Sequence, residues 1–461
     1  MIETSVLATE LKALMTSGNV NCDPKTLGEF SSDAGVLSSE LPLCVVEPAT
    51  TEEMSNIMRY AYEKNIPIFP AGAQTGLSGG AVPSIAGISL SLAKMNRILE
   101  ISPEDRYAIV ESGVITAELD EAVKPFGLTY PVDPASRKWS TIGGNIANNA
   151  GGLSSVKYGV TRDYVKGLEV VLPDGTLIRT GAKTIKSVVG YDLTRLFVGS
   201  EGTLGIVTKA ILRLTPRPQN IQGILVILDD LKYTVELVVT IFRAGLTPRI
   251  LELMDQKCLI MMKDYLPIDW SENISGALLI ECDGYKSQVD SEIEEIISII
   301  QQEKEHVLYL KNYEEDHPEY QKTYEGRSLL GPLLSKECGT VICEDFTTPP
   351  SQTWRFLEYM YSLTSDRGIE VAVFGHIGDG NLHIALLHTE KKNEEVILKT
   401  VEDLVRYCLV LGGTISGEHG IGLSKAHLLP LELTPSEIAL MQAIKKSLDP
   451  KGLLNPYKIF G

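Results

Sequence analysis

The stretch PAGAQTGLSGG, residues 70–80, decides the fold class of this chain. It follows a short apolar run that ends at Phe69 and brings glycines and hydroxyl groups close together. Glycine lets successive backbone N–H groups turn toward one ligand, and Thr75 and Ser78 add donors, so the loop suits a diphosphate. It lacks the Lys-Ser/Thr ending of a P-loop, and residues 87–92 read as a strand rather than the helix of a Rossmann motif.

Two further Gly-rich stretches accompany this loop. TIGGNIANNAGG spans residues 141–152, shortly after DPAS at 133–136, and GSEGTLGIV spans residues 199–207. Neighbouring Asn and Gly residues can offer amide donors to the edge of a ring while the backbone stays close to it. One such stretch could be an ordinary surface loop, but three in one region predict a bound cofactor.

Strand and helix patterns divide the chain. Residues 40–217 alternate short apolar runs with helices, which predicts one α+β unit, and the prolines of TPRP at 215–218 mark a boundary. Beyond it, strands paired with amphipathic helices predict an antiparallel sheet with helices on one face. The predicted organisation is an N-terminal helix and connector at 1–40, a cofactor domain at 41–218, a cap or substrate domain at 219–410, and a C-terminal segment at 411–461 that returns to the cofactor domain.

Bulk properties exclude several classes of partner. The net charge of −18, from 42 basic and 60 acidic residues, disfavours binding to nucleic acid or to an anionic membrane. No run approaches the ~20 apolar residues of a membrane span, and the N-terminus lacks the pattern of a targeting peptide. The seven cysteines include no CxxC, so neither a zinc ribbon nor an iron–sulfur cluster is predicted. We therefore expect a cytoplasmic protein with reduced thiols.

Three of the seven histidines lie within Gly-rich motifs. GHIGDGNLH, residues 375–383, places His376 and His383 at the two ends of a predicted strand–turn–strand, and GEHG, residues 417–420, adds Glu418 and His419. Two imidazoles and a carboxylate form a common ligand set for Zn, Mn or Fe. Each histidine alone is more simply a packed core residue, but the two motifs together favour a site for one divalent metal.

These motifs together resemble one family. TGLSGG, TIGGNIANNAGG, YGVTRDYV, GSEGTLGIVT, GHIGDGNLH, GEHGIG and LDPKGLLNP are similar to the motifs of FAD-linked D-2-hydroxy-acid dehydrogenases, from about residue 40 to Gly461. That family includes D-lactate dehydrogenases, D-2-hydroxyglutarate dehydrogenases and the catalytic subunit of glycolate oxidase. The resemblance implies an α+β fold with a two-part FAD-binding domain of the vanillyl-alcohol-oxidase (PCMH) type and an antiparallel-sheet cap domain.

The resemblance also implies which residues hold the FAD: the first loop holds the diphosphate, the second stretch lines the ribityl chain and flavin, and the third holds the adenine side. The loop contains neither His nor Cys, so we expect non-covalent FAD. Gln74 replaces a glycine common in relatives, which is tolerable if its φ is negative. The cofactor-binding residues so implied are Pro70, Gly72, Gln74, Thr75, Gly76, Ser78, Gly79, Gly80, Pro134, Ser136, Thr141, Gly144, Asn145, Asn148, Gly151, Gly152, Glu201, Gly205, Ile206, Val207 and Asn455.

Site roles follow from the same resemblance and from the chemistry. In relatives the two histidines of GHIGDGNLH and the glutamate of GEHG bind the metal, which implies His376, His383 and Glu418 as ligands. A metal-bound 2-hydroxy acid needs a base for its hydroxyl proton, and His419 is the candidate. Arg327 lies where relatives keep an arginine for the substrate carboxylate, although an isolated arginine is more often a solvated surface residue.

The substrate and the electron acceptor are less determined. The apolar residues after Arg327 (Leu329, Leu330, Gly331 and Leu334) and Ala385 favour a small monocarboxylate, D-lactate or glycolate, over 2-hydroxyglutarate. Without a cluster of its own, the protein would pass electrons to a partner, for which electron-transfer flavoprotein is the leading expectation. Two alternatives stay open: a flavin-binding subunit without chemistry, which would not need the His and Glu motifs, and a metal-free alcohol oxidase, which would leave GHIGDGNLH unexplained.

Overall fold

The structure, a computed structural model, describes residues 3–35, 39–268, 273–302, 304–338, 340–388 and 394–461. The chain divides into two compact units. The first comprises residues 1–151, 159–217 and 418–461, and the second comprises residues 152–158 and 218–417. Residues 1–2 and 36–38, which belong to the predicted N-terminal helix and connector, lie outside the described residues.

Strands and α-helices alternate through most of the described residues and are numbered in chain order. The strands are β1 Asn19–Asn21, β2 Cys44–Glu47, β3 Ile68–Ala71, β4 Ile88–Ser91, β5 Ile98–Ser102, β6 Tyr107–Glu111, β7 Leu128–Thr129, β8 Val165–Val171, β9 Leu177–Gly181, β10 Ile206–Arg213, β11 Thr215–Pro216, β12 Asn220–Leu228, β13 Ile250–Asp255, β14 Gly276–Gly284, β15 Val307–Glu314, β16 Thr340–Thr347, β17 Glu370–His376 and β18 Asn381–His388. The α-helices are α1 Thr4–Ala13, α2 Pro24–Glu29, α3 Thr51–Lys64, α4 Thr116–Val123, α5 Ile142–Asn148, α6 Ser155–Tyr158, α7 Leu193–Phe197, α8 Leu231–Arg243, α9 Gln256–Met261, α10 Lys286–Gln301, α11 Pro318–Ser328, α12 Leu330–Cys338, α13 Thr353–Asp366, α14 Glu394–Val410, α15 Leu429–Glu432 and α16 Pro435–Leu448.

The first unit contains two main sheets. One has four strands in the order β1-β2-β4-β3, with β2, β4 and β3 parallel to one another and β1 antiparallel at the edge. The other has five antiparallel strands in the order β5-β6-β10-β8-β9. The Gly-rich loop at residues 70–80 begins where β3 ends, so strand pairing fixes its starting point.

In helix α3 the local sequence determines both where the helix begins and ends and which of its faces is buried. Thr50 caps its N-terminus by accepting a hydrogen bond from the backbone N–H of Glu53, and Asn65 ends it in the left-handed conformation with φ 55°. Its apolar residues recur with helical spacing, and Met54, Ile57, Met58 and Ala61 are buried in the core beneath the four-stranded sheet.

The second unit is built on one antiparallel sheet of seven strands, in the order β15-β12-β14-β13-β17-β18-β16. The prediction of an antiparallel sheet with helices is confirmed, but the helices cover both of its faces rather than one. Helices α9, α11 and α12 share a core with one face, and α8 and α10 pack against strands β12 and β14 outside that core. The central strands are buried along nearly their whole length, so helices must shield both faces of the sheet from water.

The last segment of the chain lies against the first unit's parallel sheet. The backbone N–H of Ile68 in β3 donates to the carbonyl of Leu453, and that of Asn455 donates back to the carbonyl of Ile68, each at 2.8 Å. The segment thereby lies beside the start of the Gly-rich loop. Among the described residues, no helix has both the length and the apolar composition that crossing a membrane requires.

Candidate active site

The loop at residues 70–80 presents backbone donors that the described part of the chain does not use. From Thr75 to Gly80, no backbone N–H donates a hydrogen bond to another described residue. A Cβ added at Gly76 or Gly80 would meet no atom closer than 3.8 Å, so packing does not explain these glycines. Open space beside a run of unpaired N–H groups fits a diphosphate, whose oxygens would accept those bonds.

Gln74 differs from expectation, because its φ is +55° rather than negative. Hydrogen bonds of the Gln74 side chain hold its backbone in the left-handed conformation. The Nε2 group donates to the carbonyls of Glu29 at 3.0 Å and Ser32 at 2.7 Å, so Gln74 anchors the loop to the connector after α2. A glycine here would keep the backbone conformation and lose the anchor.

Three side chains of the first unit hold the first loop in place. Ser78 donates its hydroxyl to the carbonyls of His419 at 3.0 Å and Gly420 at 3.1 Å, so this hydroxyl hydrogen serves the protein rather than a diphosphate. Lys458 donates to the carbonyls of Gly79 and Val82, and Asn455 donates to that of Gly80. Burial lowers the pKa of Lys458 to about 8, against the opposing charges of Asp33 and Glu201.

The second Gly-rich stretch forms helix α5. Thr141 caps it by accepting from the backbone N–H of Gly144, and Asn145 donates to Thr116 Oγ1 at 2.8 Å. Asn148, half-buried at the end of the helix, lies near the open side of Gly76. Of the other residues predicted here, Pro134, Gly151 and Gly152 are buried and Ser136 is half-buried.

The third stretch organises the loop that carries His419. Both carboxylate oxygens of Glu201 accept backbone N–H groups at 2.7 Å, from Ile421 and Gly422. Burial raises the pKa of Glu201, although these two bonds oppose the shift. Packing requires a glycine at position 205, because a Cβ added there would lie 2.6 Å from the side chain of Val170. Ile206 and Val207, the first residues of β10, are buried.

The predicted metal ligands come together. His376 ends β17 and His383 lies on β18, and the two rings stand edge to face with centroids 5.3 Å apart. Glu418 follows directly after Gly417, the last residue of the second unit. The ligand atoms of His376, His383 and Glu418 all lie within 4.8 Å of one another. Two imidazole nitrogens and a carboxylate oxygen suit Zn, Mn or Fe, so this donor set fits the implied ion.

Arg327 is a buried residue and not a solvated one. It lies near the end of α11 with 8% of its surface exposed, and its guanidinium carbon lies over the ring of Phe374, 4.9 Å from the ring centroid. Its Nε donates to Oε2 of Glu252 at 2.8 Å, and Nη2 pairs with the same oxygen. Within the described part of the chain, Nη1 donates no hydrogen bond and stays available for an anion.

Glu252 contacts two of the predicted site residues, although the sequence motifs did not indicate it. Its carboxylate is fully buried on β13, and Oε1 lies 2.5 Å from Nδ1 of His376. Burial alone would raise the pKa of Glu252, but Arg327 and His376 outweigh burial and hold this pKa below its usual range. The available signal was a carboxylate inside the apolar run ILELM, residues 250–254, because a buried charge needs a partner.

Three of the five residues that favoured a small substrate belong to the core, whereas Leu329 is half-buried and Gly331 is exposed. Leu330 and Leu334 on α12 are buried together with Ala385 in the cluster between the sheet and α9, α11 and α12. Core packing explains their apolar character, so they do not report substrate size. His419, the predicted base, is half-buried in the first unit, and its backbone is held by Ser78.

Known proteins resemble this chain along most of its length. A family model described as an FAD binding domain matches residues 42–181, and one described as the C-terminal domain of FAD linked oxidases matches residues 217–459. The glycolate oxidase subunit GlcD of Bacillus subtilis (strain 168) is 40% identical over 97% of this chain and 95% of its own length. A D-lactate dehydrogenase of Anaerostipes hadrus is 36% identical over 94% of this chain and 92% of its own.

Solved structures resemble the fold. The crystal structure of p-cresol methylhydroxylase with substrate bound superposes with a TM-score of 0.79, covering 99% of this chain and 97% of that one at 18% identity. At this identity the likeness concerns the fold alone. It confirms the prediction of an FAD-binding fold of the vanillyl-alcohol-oxidase (PCMH) type.

Proposed function

Because the chain belongs to the family of FAD-linked oxidases, we propose that it oxidises a small D-2-hydroxy acid, with D-lactate as the first candidate. In this proposal FAD is bound non-covalently, one divalent metal ion is bound by His376, His383 and Glu418, and electrons leave to a protein acceptor. The observation that carries the proposal is the trio of ligand atoms within 4.8 Å of one another. A flavin-binding subunit without chemistry would have no use for it.

The residues of the site divide the work of such a reaction. Arg327 binds the substrate carboxylate through Nη1, the donor that Glu252 leaves available. His419 takes the proton of the substrate hydroxyl as a general base. When bound, the metal ion would lower the pKa of that hydroxyl, and the flavin would accept the hydride from C2.

The identity of the substrate rests on similarity and charge. The two relatives described above are named for glycolate and for D-lactate, both of which carry a single carboxylate. Arg327 is joined to the proposed metal ligand His376 through Glu252, which already neutralises part of the arginine's charge. One guanidinium edge matches one carboxylate. A second carboxylate, as in D-2-hydroxyglutarate, would need another partner.

The decisive experiment is anaerobic bleaching of the flavin absorbance by D-lactate, L-lactate, glycolate and D-2-hydroxyglutarate, each before and after chelation. We expect fast bleaching by D-lactate that is lost on chelation and restored by Zn, Mn or Fe. Bleaching by glycolate or D-2-hydroxyglutarate instead would transfer the assignment to that substrate. No bleaching by any of the four would overturn the proposal.

The electron acceptor is proposed to be electron-transfer flavoprotein, because the chain has no CxxC motif for a cluster of its own. We expect the purified enzyme with D-lactate to reduce that flavoprotein anaerobically. The control replaces it with a soluble quinone analogue. Reduction of the quinone analogue alone would overturn this assignment and leave the hydroxy-acid chemistry intact.

A further inference from the structure

We propose that Glu252 is a positioning residue that orients a metal ligand and the substrate-binding arginine together. This inference rests on the proposed function, since it gives His376 and Arg327 their roles. Glu252 itself touches neither substrate nor metal. It acts by fixing the direction in which each of the other two side chains presents its remaining nitrogen.

Strand register places Glu252 beside His376. Strands β13 and β17 are antiparallel neighbours, with Leu253 opposite Gly375 and Met254 opposite Phe374. Continuing that register by one residue sets Glu252 opposite His376. Directly opposite residues of an antiparallel pair point to the same face of the sheet. Strand pairing alone therefore brings the side chains of Glu252 and His376 together.

The contacts of Glu252 use both of its oxygens. Oε1 lies 2.5 Å from Nδ1 of His376, and Oε2 accepts from Nε of Arg327 at 2.8 Å and also pairs with Nη2. The carboxylate is completely buried. A buried charge with two strong partners cannot reorient without losing one of them, so each partner is held in a single orientation.

This arrangement determines which atoms point into the site. With Nδ1–H of His376 donating to Glu252, the lone pair for a metal lies on Nε2, as in carboxylate–histidine–metal arrangements. With the Nε and Nη2 edge of Arg327 occupied, and the guanidinium carbon 4.9 Å from the centre of the Phe374 ring, Nη1 remains for the substrate. Metal affinity and substrate affinity are therefore coupled through one side chain.

A second buried glutamate supplies a matched control. Glu281 lies on β14, the neighbouring strand, where it accepts from Tyr320 at 2.7 Å and pairs with Arg249 at 3.6 Å. Like Glu252, Glu281 is a buried glutamate that pairs with an arginine. Its partners Tyr320 and Arg249, however, are neither the proposed metal ligand nor the proposed substrate-binding arginine. Substituting it measures the cost of disturbing a buried ion pair in this sheet.

The test compares Glu252→Gln, Glu252→Asp and Glu281→Gln, each saturated with FAD. Zinc affinity is measured by competition with a chromophoric chelator, and KM and kcat for D-lactate by flavin reduction. For Glu252→Gln we expect zinc affinity to fall about 10- to 100-fold and KM to rise about tenfold or more. For Glu281→Gln we expect both values to stay within about twofold, whatever its thermal stability.

Glu252→Asp covers the case in which the glutamine variant does not fold. It keeps the charge but is one methylene shorter, so it cannot keep both contacts, and we expect at least one of zinc affinity and KM to shift. Unchanged zinc affinity and KM in a folded Glu252 variant would overturn the inference, and so would equal shifts in Glu281→Gln. If the wild type is bleached by no hydroxy acid, the proposed function fails, while zinc affinity still reports on the contact with His376.

Discussion

The hydroxyl of Ser78 lies 3.0 Å from the backbone carbonyl of His419 and donates a hydrogen bond to it. The first Gly-rich loop and the loop of the predicted base are 341 residues apart in sequence, yet one side chain joins them. The carboxylate of Glu201 holds the same loop two residues further on. The predicted cofactor loops of the first unit therefore also support the backbone at His419.

This support predicts the effect of Ser78→Ala. Losing one partly buried hydrogen bond costs about 1 kcal/mol, so we expect flavin bleaching by D-lactate to slow roughly fivefold. Stopped-flow absorbance measures the rate. The matched control is Ser84→Ala, because Ser84 donates in the same way to the carbonyl of Pro456 at 2.8 Å without touching the His419 loop. Equal slowing in both variants would contradict the role of Ser78.

Replacing His419 with asparagine should remove the proposed general base and leave FAD and the proposed metal ion bound. We expect the rate of flavin reduction by D-lactate to fall about 10²- to 10⁴-fold, which is the usual contribution of a positioned base. Flavin absorbance and metal content should stay at wild-type values. His427→Asn, which changes an exposed histidine on the same unit, is the control. A rate near wild type in His419→Asn would exclude it as the base.

Removing a proposed metal ligand should separate metal binding from FAD binding. In Glu418→Gln a neutral amide replaces one of the three grouped donors, so we expect the metal content after dialysis to fall and D-lactate bleaching to slow by about 10²-fold or more. Elemental analysis and the flavin spectrum measure the two cofactors independently. Glu118→Gln, at an exposed carboxylate of α4, should change neither. Full metal content in Glu418→Gln would remove Glu418 from the ligand set.

Arg327→Lys should weaken substrate binding. Lysine keeps a positive charge near Glu252 but lacks the planar guanidinium group of arginine. Its single ammonium group cannot pair with the glutamate and also bind the substrate carboxylate from a second nitrogen. We expect KM for D-lactate to rise roughly 10- to 100-fold, with FAD binding unchanged. Arg249→Lys, beside the buried Glu281, is the control. A KM within about twofold of wild type would contradict the role of Arg327.

Acid stability should depend on Glu53. Burial alone would raise the pKa of this carboxyl, but backbone N–H groups of Ser17, Ala49 and Thr16 at 2.7–2.8 Å outweigh it and lower the pKa to about 2. Because the pKa is lower in the folded state, the stabilisation is full above the ordinary value near 4.5 and is lost as the pH falls toward 2.

We therefore expect Glu53→Gln to lower the free energy of unfolding by roughly 1–3 kcal/mol at pH 7 and by much less near pH 2.5. Chemical denaturation at the two pH values measures this difference. Glu52→Gln, at the exposed neighbouring position, should show little effect at either pH. The same loss in both variants, or a loss at pH 2.5 equal to that at pH 7, would contradict the assignment.

The sequence by itself determined the fold class and carries the local signals that begin and end several helices. Helices such as α3 and α16 have capping residues and a regular apolar spacing, which are local properties readable without the rest of the chain. The Gly-rich stretches and the motifs with His376, His383 and Glu418 were equally readable, because short segments with special backbone or ligand requirements leave unusual compositions. The positive φ of Gln74 was not readable, since the anchor that holds it lies more than 40 residues away.

Only the tertiary structure decided which of these residues act on one another. Glu252 meets His376 because β13 pairs with β17, a pairing across more than 100 residues that no local pattern specifies. The same holds for Ser78 and Glu201, which the sequence predicts as cofactor-binding residues and whose side chains bind the backbone of residues 419–422. Composition limits what a residue can bind, but which partner it meets depends on strand register and packing between distant segments.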